Sequence, residues 1–348
     1  RLFESLGLAP GAHVAMCVEN RREFLELAWG AHYAGLIYTF ASTRLTGEEL
    51  AYIVHDCGAR VFICSDRTAE AAAAIVADTP HVEARFIVGG RLDGHRSYEE
   101  AVAEQSTEPL VDPKSGVDML YSSGTTGRPK GVAINYPGVP LDSPTSVTML
   151  AMGLLEYGPE TRYLSPAPLY HAAPLRFSMS AHQAGGTVVV MESFDSERAL
   201  QVIEEHRITH SQWVPTMFIR MLKLPEEVRN RYDVSSMQVI VHAAAPCPVP
   251  AKRGIIEWFG PIVHEYYAGT EGNGFVYCNS EDWLAHPGTV GKSIIGEIHI
   301  CDEDGEELPV GEAGTIWFGN PAQFEYHNDP EKTAASRHPK GWTTLGDV

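Results

Sequence analysis

Short apolar segments alternate with helical patterns through the first hundred residues. Residues 13–18 form an apolar run typical of a buried strand, and residues 21–34 carry apolar side chains at helical spacing. Thr46 begins a Thr-Gly-Glu-Glu capping box, which predicts the start of a helix leading into residues 50–57. Because strands that alternate with helices form parallel sheets covered by helices, the pattern predicts an α/β subdomain over residues 1–110.

The alternation resumes after a polar linker at residues 104–116. The predicted strands are residues 187–191, 238–241 and 262–267, and the predicted helices are residues 196–206 and 250–259. We therefore predict a second αβ subdomain over residues 111–287. The resulting fold class is α/β, with two stacked, layered subdomains built on mixed or parallel sheets.

The pattern changes beyond residue 288. Residues 296–300 and 314–318 flank an acidic segment that contains Asp-Gly and Val-Gly turn signals. Such turns join antiparallel strands, so we predict a small antiparallel subdomain over residues 288–348, either barrel-like or a distorted sheet. The acidic residues 302–307 fail the spacing of an EF-hand loop and indicate a solvated hairpin tip.

Composition narrows the classes of function. The 348 residues contain 26 Lys and Arg against 45 Asp and Glu, a formal net charge of −19. Such a surface repels phosphate backbones, which excludes nucleic acid as a general partner, although a nucleotide needs only a local group of donors. No apolar run reaches the ~20 residues that a membrane-spanning helix needs. Six cysteines without a CxxC pair indicate reduced thiols and a cytoplasmic location.

The segment with the clearest chemistry is YSSGTTGRPKG at residues 121–131. Its glycines allow tight turns and close approach to a ligand, and its hydroxyl, guanidinium and ammonium groups suit a polyphosphate. It is not a Walker A loop, because Lys130 lies between Pro129 and Gly131, and it does not match GxGxxG. A flexible polar surface loop is the alternative interpretation.

This segment resembles the signature of the adenylate-forming, or AMP-binding, superfamily, which includes acyl-CoA synthetases, firefly-type luciferases and peptide-synthetase adenylation domains. Further motifs follow in the family's order. The sequence YAGTE at residues 267–271 is similar to the family's Tyr-Gly-x-Thr-Glu, with Ala268 in place of the first Gly. The resemblance implies that Tyr267 lies near the adenine, that Thr270 contacts the α-phosphate and that Glu271 holds Mg²⁺.

Three other segments extend the resemblance. Asp347 in GWTTLGD is similar to the aspartate of the family's Thr-Gly-Asp, which implies hydrogen bonds from both ribose hydroxyls, and Leu345 stands where the family has Thr. The sequence HAAAP at residues 242–246 is similar to a segment that lines the adenine, although it also fits a strand end entering a turn. Tyr170 and His171 match an acyl-pocket position, where a structural histidine is the alternative.

The resemblance implies four sets of site residues. The catalytic set is Lys130, His171, Thr270 and Glu271. The ATP- or AMP-binding set is Ser122, Ser123, Gly124, Thr125, Thr126, Gly127, Lys130, Ala243, Ala244, Ala245, Pro246, Glu265, Tyr266, Tyr267, Ala268, Gly269, Thr270 and Asp347. The acyl-pocket set is Tyr170, His171, Trp213, Met217, Ala243 and Gly269, and the metal ligands are Thr126 and Glu271.

The implied reaction activates a small-molecule carboxylic acid with ATP and Mg²⁺ to acyl-AMP, from which the thiol of coenzyme A displaces AMP. The pocket wall is mostly apolar and lacks an obvious Asp for an α-amino group, which favours a fatty or aryl acid. Trp213 and Met217 fit ordinary core positions equally well. Asp195 and Ser196 resemble an amino-acid-binding FDxS motif but fit a helix N-cap better.

The resemblance implies a further, small C-terminal lid domain that supplies a lysine for adenylation, and we expect these 348 residues to end before it. We therefore expect this chain to bind nucleotide but to adenylate poorly. A homodimer is compatible with the sequence. The competing functions are an adenylation domain that loads a carrier protein, a luciferase-like oxygenase, a non-catalytic nucleotide-binding protein and a P-loop ATPase, and Pro129 disfavours the last.

Overall fold

A computed structural model of the protein describes residues 1–122, 129–133, 136, 138–320 and 324–348. Its strands are β1 (His13–Cys17), β2 (Ile37–Phe40), β3 (Val61–Ser65), β4 (Ala84–Val88), β5 (Arg96–Ser97), β6 (Val117–Asp118), β7 (Tyr121–Ser122), β8 (Lys130–Ala133), β9 (Arg162–Ser165), β10 (Thr187–Val190), β11 (His210–Trp213), β12 (Val239–His242), β13 (Val263–Tyr267), β14 (Phe275–Cys278), β15 (Lys292–Ile295), β16 (Glu297–Cys301), β17 (Thr315–Gly319), β18 (Glu325–Tyr326) and β19 (Thr343–Thr344).

Helices lie between most of these strands. They are α1 (Leu2–Ser5), α2 (Arg22–Tyr33), α3 (Gly47–Asp56), α4 (Ala69–Ala74), α5 (Tyr98–Ala103), α6 (Ser146–Leu154), α7 (Ala172–Gln183), α8 (Ser196–His206), α9 (Pro215–Leu222), α10 (Glu226–Arg229), α11 (Val249–Phe259), α12 (Ser280–Ala285) and α13 (Pro330–Ala335). None of the helices in the described ranges is long and apolar enough to cross a membrane.

The chain divides into two compact units. The first contains Arg1–Ser146, Pro168–Met179 and Glu325–Asn328. Its main sheet has the order β5-β4-β3-β1-β2-β6, and every neighbouring pair in it is parallel. Helices α3 and α4 bury Leu50, Ile53 and Ala72 with strand residues such as Phe62 in one core cluster. This arrangement confirms the predicted parallel sheet with helices packed on it.

The second unit contains Val147–Ala167, Ser180–Phe324 and Asp329–Val348. Its main sheet has the order β10-β9-β11-β12-β13-β14-β15, which is parallel from β10 to β13 and antiparallel at β14 and β15. A core cluster joins side chains of the sheet to those of α8, α9 and α11, among them Leu200, Trp213, Phe218, Ile255 and Val263. The predicted mixed α/β fold is therefore confirmed.

Two smaller sheets complete the units. In the second unit, β16, β17 and β19 form an antiparallel sheet, in which β16 and β17 pair from Glu297 opposite Gly319 to Cys301 opposite Thr315. This confirms the predicted antiparallel pairing. In the first unit, β18, β8 and β7 form a second small sheet. The predicted subdomain boundaries at residues 110 and 287 stay a prediction.

Local signals located several elements correctly. Thr46 caps α3, and its side chain accepts from the Glu49 backbone N–H while Glu49 Oε2 accepts from the Thr46 N–H at 2.8 Å. Asp195 Oδ1 accepts from the Arg198 N–H at 2.8 Å at the start of α8, so this aspartate is the predicted N-cap. All six cysteines are free thiols, and burial raises the pKa of Cys17 to about 12, which makes it unreactive.

Candidate nucleotide-binding residues

Two predicted binding segments leave the second sheet at the same edge. Strands β12 and β13 are parallel neighbours, with His242 opposite Glu265. The alanine-rich residues 243–246 follow β12, and residues 268–271 follow β13. Ligands of open α/β sheets bind outside the carboxyl ends of the strands. The fold therefore brings together two segments that the sequence separates by about 25 residues.

Residues 269–272 form a tight turn at the end of β13. The Gly272 N–H donates to the Gly269 carbonyl at 3.2 Å, and Gly272 has a φ of 72°, which favours glycine. A Cβ at Gly269 would lie 2.5 Å from Leu345 Cδ2 and 2.7 Å from Glu271 Oε2. Only glycine fits at residue 269 without displacing these neighbours. Leu345, which departs from the family's Thr, packs against this turn.

A hydrogen bond joins two motifs that are 80 residues apart in the sequence. The Tyr267 hydroxyl donates to Asp347 Oδ2 at 2.7 Å. Partial burial raises the pKa of Tyr267, and the Asp347 carboxylate raises it further, so the hydroxyl remains protonated and able to donate. The predicted adenine residue and the predicted ribose residue are therefore in direct contact.

A second link holds the same two segments together. Asn273 Nδ2 donates to Thr343 Oγ1 at 2.8 Å, and Asn273 is buried. The Asp347 carbonyl accepts from the Ile316 N–H at 2.9 Å, which fixes the backbone of the aspartate on β17. The sequence motifs did not identify Asn273. Its only local signal is its place in the Gly-Asn-Gly sequence directly after Glu271.

Ala244 has an unusual backbone conformation in the alanine-rich segment. Its φ is 74°, in the left-handed region that residues with a Cβ rarely adopt. Ala244, Ala245 and Pro246 are exposed, whereas Ala243 is buried. Small side chains held on an exposed backbone leave room for a flat base, and backbone strain of this kind concentrates at functional sites.

Glu265 and Tyr266, both predicted to bind nucleotide, have neighbours inside the unit. Glu265 is 5% exposed, and its Oε2 accepts from Lys252 Nζ at 2.5 Å. The Tyr266 ring stacks on Phe275 with centroids 5.0 Å apart. The carboxylate of Glu265 is thus committed to a buried ion pair. The sequence motifs did not identify Lys252. Its helical spacing from the apolar residues Ile255 and Ile256 is the one local signal that it lies on the buried face of a helix.

The glycine-rich segment belongs to the first unit. Its predicted phosphate ligands Ser123, Gly124, Thr125, Thr126 and Gly127 lie outside the described residues, and so does the predicted metal role of Thr126. The two ends of the segment are described. Strands β7 and β8 pair antiparallel, with Ser122 opposite Lys130, and so form a stem that brings Lys130 beside the start of the segment.

Contacts from two distant parts of the first unit anchor this stem. The Tyr121 hydroxyl donates to Asp56 Oδ2 at 2.5 Å. The His327 N–H donates to the Gly131 carbonyl at 2.8 Å, and His327 Nε2 donates to the Asp56 carbonyl at 2.9 Å. Asn328 Nδ2 donates to the same carbonyl at 3.1 Å. Asp56, at the end of α3, therefore contacts β7 directly through Tyr121 and is linked to β8 through His327.

The predicted acyl-pocket residues are divided between the units. Tyr170 and His171 belong to the first, where their rings lie 4.4 Å apart. Partial burial lowers the pKa of His171, and the charge of Arg44 lowers it further, so the imidazole is neutral near pH 7. Trp213 and Met217 belong to the second unit and lie in its core cluster, 1% and 7% exposed.

Of the two predicted Mg²⁺ ligands, Thr126 and Glu271, the structure describes Glu271. No group of three or more His, Cys, Asp or Glu side chains suited to a metal occurs in the described part of the chain. Mg²⁺ commonly uses one or two protein carboxylates and completes its shell with water and substrate phosphates. A single half-buried carboxylate in a tight turn fits that requirement.

Comparison with known proteins agrees with these motifs. The sequence profile of the family described as "AMP-binding enzyme" matches residues 1–326. A 4-coumarate–CoA ligase of Pinus taeda is 29% identical over 99% of this chain and 65% of its own length. A medium/long-chain-fatty-acid–CoA ligase of Mycobacterium tuberculosis is 26% identical over 99% of this chain and 62% of its own length. The chain thus spans less than two thirds of these relatives.

A solved structure supports the same conclusion at the level of the fold. The crystal structure of ATP-bound MatB from Rhodopseudomonas palustris is 27% identical, with a TM-score of 0.82 over 99% of this chain and 67% of the other. The profile covers far more than half of the sequence, and the motifs lie in the family's order at the carboxyl ends of β12 and β13. The chain belongs to the AMP-binding enzyme family.

Proposed function

We propose that the protein uses ATP to convert a carboxylic acid to an acyl-adenylate and then transfers the acyl group to coenzyme A. The observation that carries the proposal is the hydrogen bond from Tyr267 to Asp347, with Glu271 in the turn that follows Tyr267. Tyr267, Asp347 and Glu271 belong to one compact unit, and we assign ribose binding to the Asp347 carboxylate and Mg²⁺ binding to the Glu271 carboxylate. The presence of Lys130, Thr270, Glu271 and Asp347 together argues against a non-catalytic nucleotide-binding protein.

In the first step, a carboxylate oxygen of the acid attacks the α-phosphorus of ATP. The bond between the α-phosphorus and the bridging oxygen breaks, and pyrophosphate leaves with the electron pair. Thr270 would contact the α-phosphate, and Glu271 would hold Mg²⁺, which neutralises phosphate charge when bound. In the second step, the sulfur of coenzyme A attacks the acyl carbonyl carbon and the thiol proton passes to solvent. The bond from that carbon to the phosphate oxygen breaks, and AMP leaves with the electron pair.

Lys130 and the glycine-rich segment take the phosphate-binding role in this proposal. Lys130 is the second residue of the stem pairing, opposite Ser122. An ammonium group beside backbone N–H groups suits the β- and γ-phosphates of ATP. Positioning and charge neutralisation supply most of the acceleration in phosphoryl-type substitutions, so we assign no general base to the first step.

A fatty or aryl acid is the proposed substrate class. One relative is named for 4-coumarate, an aryl acid, and another for medium- and long-chain fatty acids. The neutral His171 and the ring of Tyr170 would contact the acid. Free thiols, several of them buried, support the cytoplasmic location as part of the same proposal.

An acid panel tests the proposal directly. The intact protein, with ATP and Mg²⁺, is expected to release pyrophosphate with fatty or aryl acids and not with amino acids. Thioester formation that requires coenzyme A supports the second step, whereas transfer only to a phosphopantetheinyl carrier protein would move the protein to the carrier-loading class. Absence of pyrophosphate release with every acid would refute the adenylation step.

Substitution of the metal-binding carboxylate gives a sharper test. Glu271→Gln keeps the shape of the side chain and removes its charge, so we expect Mg²⁺-dependent pyrophosphate exchange to fall by at least ~100-fold, in line with the loss of a key charge-stabilising group. Circular dichroism and melting temperature should stay unchanged. The matched control is Glu281→Gln, an exposed carboxylate on α12. If Glu271→Gln and the wild type showed equal pyrophosphate exchange, the assignment of Glu271 as the Mg²⁺ ligand would be wrong.

A further inference from the structure

A lysine is fully buried in the second unit beneath the nucleotide-binding segments. Lys252 on α11 is 0% exposed, and its Nζ donates to Glu265 Oε2 at 2.5 Å. The Nε2 of His242, a side chain that is also fully buried, lies 3.6 Å from the same oxygen. The Trp283 ring lies 5.1 Å from Lys252 Nζ and closes one side of the group.

Stability alone does not account for this ion pair. Removing a lysine and a carboxylate from water costs several kcal/mol for each ion, and replacing a buried pair by apolar residues of similar volume is often neutral or stabilising. The surroundings would accept such residues, because Ile255 and Ile256 on the same helix belong to the core cluster. A buried pair retained among apolar neighbours points to a requirement for a defined geometry.

The ion pair lies where α11 meets the ends of β12 and β13. His242 is the last residue of β12 and directly precedes the alanine-rich residues 243–246. Glu265 lies opposite His242 on β13, two residues before Tyr267. Lys252 approaches both strand ends from α11, which begins three residues after Pro246. The pair therefore connects one helix to the two strand ends from which the predicted adenine-binding segments emerge.

Charge gives the contact a direction that apolar packing lacks. A leucine can slide against its neighbours at little cost, whereas moving Lys252 away from Glu265 leaves two unpaired charges in a buried environment. The pair also neutralises a carboxylate close to the segments that would receive the nucleotide phosphates. Burial lowers the pKa of His242 to about 3, and Lys252 adds to this effect, so His242 contributes no positive charge of its own.

We propose that Lys252 is a positioning residue for nucleotide binding, and that its ion pair with Glu265 sets the spacing between residues 243–246 and residues 267–271. This inference rests on the proposed function. It also gives Glu265 a role that differs from direct nucleotide contact, since its Oε2 is used by Lys252. Binding by segments so placed depends on their separation, because a shift of about 1 Å is enough to weaken a preorganised site strongly.

The test separates positioning from stability with a double variant. Lys252→Met with Glu265→Leu replaces both charges by apolar side chains of similar length, so the protein should fold and melt within a few degrees of the wild type. Isothermal titration of the intact protein with AMP should show affinity at least tenfold weaker. The control is Ile256→Ala on the same helix, which should lower the melting temperature by creating a cavity and leave AMP affinity within twofold.

A kinetic measurement supports the titration. If positioning is the role of the pair, KM for ATP in the double variant rises more than kcat falls. The single variant Lys252→Met, which leaves Glu265 unpaired, should lose both stability and affinity. AMP affinity within twofold of the wild type in a folded double variant overturns the inference and leaves the proposed function intact. Wild-type protein that binds neither AMP nor ATP overturns both.

Discussion

The main sheets of the two units share a strand order but differ in the residues at their strand ends. In each unit the first strand of the sheet lies between the second and the third, and the fourth and fifth follow outward: β2-β1-β3-β4-β5 in the first and β10-β9-β11-β12-β13 in the second. This is the order of a doubly wound sheet, in which the strand ends form natural ligand-binding positions. The side chains at those strand ends are nevertheless of different kinds.

In the first unit the strand ends carry charges that bind one another. Arg21, just beyond β1, donates to Glu23 at 2.9 Å and to Asp66, just beyond β3, at 2.8 Å. Glu19 accepts from Arg21 at 3.2 Å. These groups are satisfied within the unit. Its predicted nucleotide-binding residues Ser122 and Lys130 lie elsewhere, on the stem formed by β7 and β8.

In the second unit the strand ends carry small and aromatic residues with strained or tight backbone. Ala244 has a positive φ after β12, and a Cβ at Gly269, after β13, would displace the side-chain ends of Leu345 and Glu271. The ionic contact there, between Lys252 and Glu265, is buried below the surface. Both main sheets therefore have strand ends at which a ligand could bind. The residues at those ends decide whether a ligand can bind there.

The largest expected effect comes from filling the turn after β13. Gly269→Val adds atoms where a Cβ alone would lie 2.5 Å from Leu345 Cδ2 and 2.7 Å from Glu271 Oε2, so the ends of both side chains, including the carboxylate of Glu271, must move. We expect kcat/KM for ATP to fall by ~100-fold or more, as for a misplaced catalytic group. Pyrophosphate release with saturating acid measures this.

Gly153→Ala is the matched control for that substitution. Gly153 lies in α6 of the same unit, and nothing lies within 4 Å of an added Cβ. Alanine in a helix should stabilise the protein by about 0.5–1 kcal/mol and leave activity unchanged. Normal activity in Gly269→Val would show that the nucleotide does not depend on the turn after β13, and the comparison between the two units would fail.

An intermediate effect is expected from the stem of the glycine-rich segment. Tyr121→Phe removes the hydroxyl that donates to Asp56 and should cost about 1–2 kcal/mol at the stem. Because the stem is assigned to the phosphates beyond the α-position, KM for ATP should rise up to tenfold while AMP affinity stays constant. Steady-state kinetics and AMP titration on one preparation give both values.

The same chemistry away from the stem provides the control. Tyr98 donates to Glu26 Oε1 at 2.7 Å in the same unit, and Tyr98→Phe should lower stability without changing KM for ATP. If Tyr121→Phe weakened AMP and ATP binding equally, the assignment of the stem to the phosphates beyond the α-position would be wrong.

The smallest expected effect concerns backbone strain after β12. Ala244→Gly relieves a φ of 74°, so we expect it to stabilise the protein by about 1 kcal/mol, measured by urea denaturation. Ala245→Gly, one residue further and without a positive φ, should destabilise it slightly. AMP affinity should stay within twofold in both. If both substitutions destabilised the protein equally, the conclusion that the backbone is strained at Ala244 would be wrong.

Much of the fold was predictable because its signals are local. Thr46 and Asp195 were identified as helix caps, and their hydrogen bonds join residues only three apart. The parallel strands of the first unit follow from their apolar runs and the helices between them. Nucleotide-binding motifs were recognisable for a similar reason, since each is a short contiguous segment.

Other site residues had no comparable signal. Asn273 and Leu345 became visible as parts of the site only when residues 343–347 were placed against the turn after β13. Asp56 is an ordinary acidic residue near the end of a helix until Tyr121 and His327 are brought to it. Their roles depend on contacts between positions 65 or more residues apart, which composition and periodicity do not encode.

By itself, the sequence determined the elements, the α/β class and the order of the family's motifs, because each rests on interactions within a few residues. Tertiary structure alone decided that Tyr267 donates to Asp347, that Leu345 and Glu271 lie against Gly269, and that Lys252 is buried on Glu265. Those contacts form only after β12, β13 and α11 have packed together. Their energy depends on burial, and burial is a property of the folded chain.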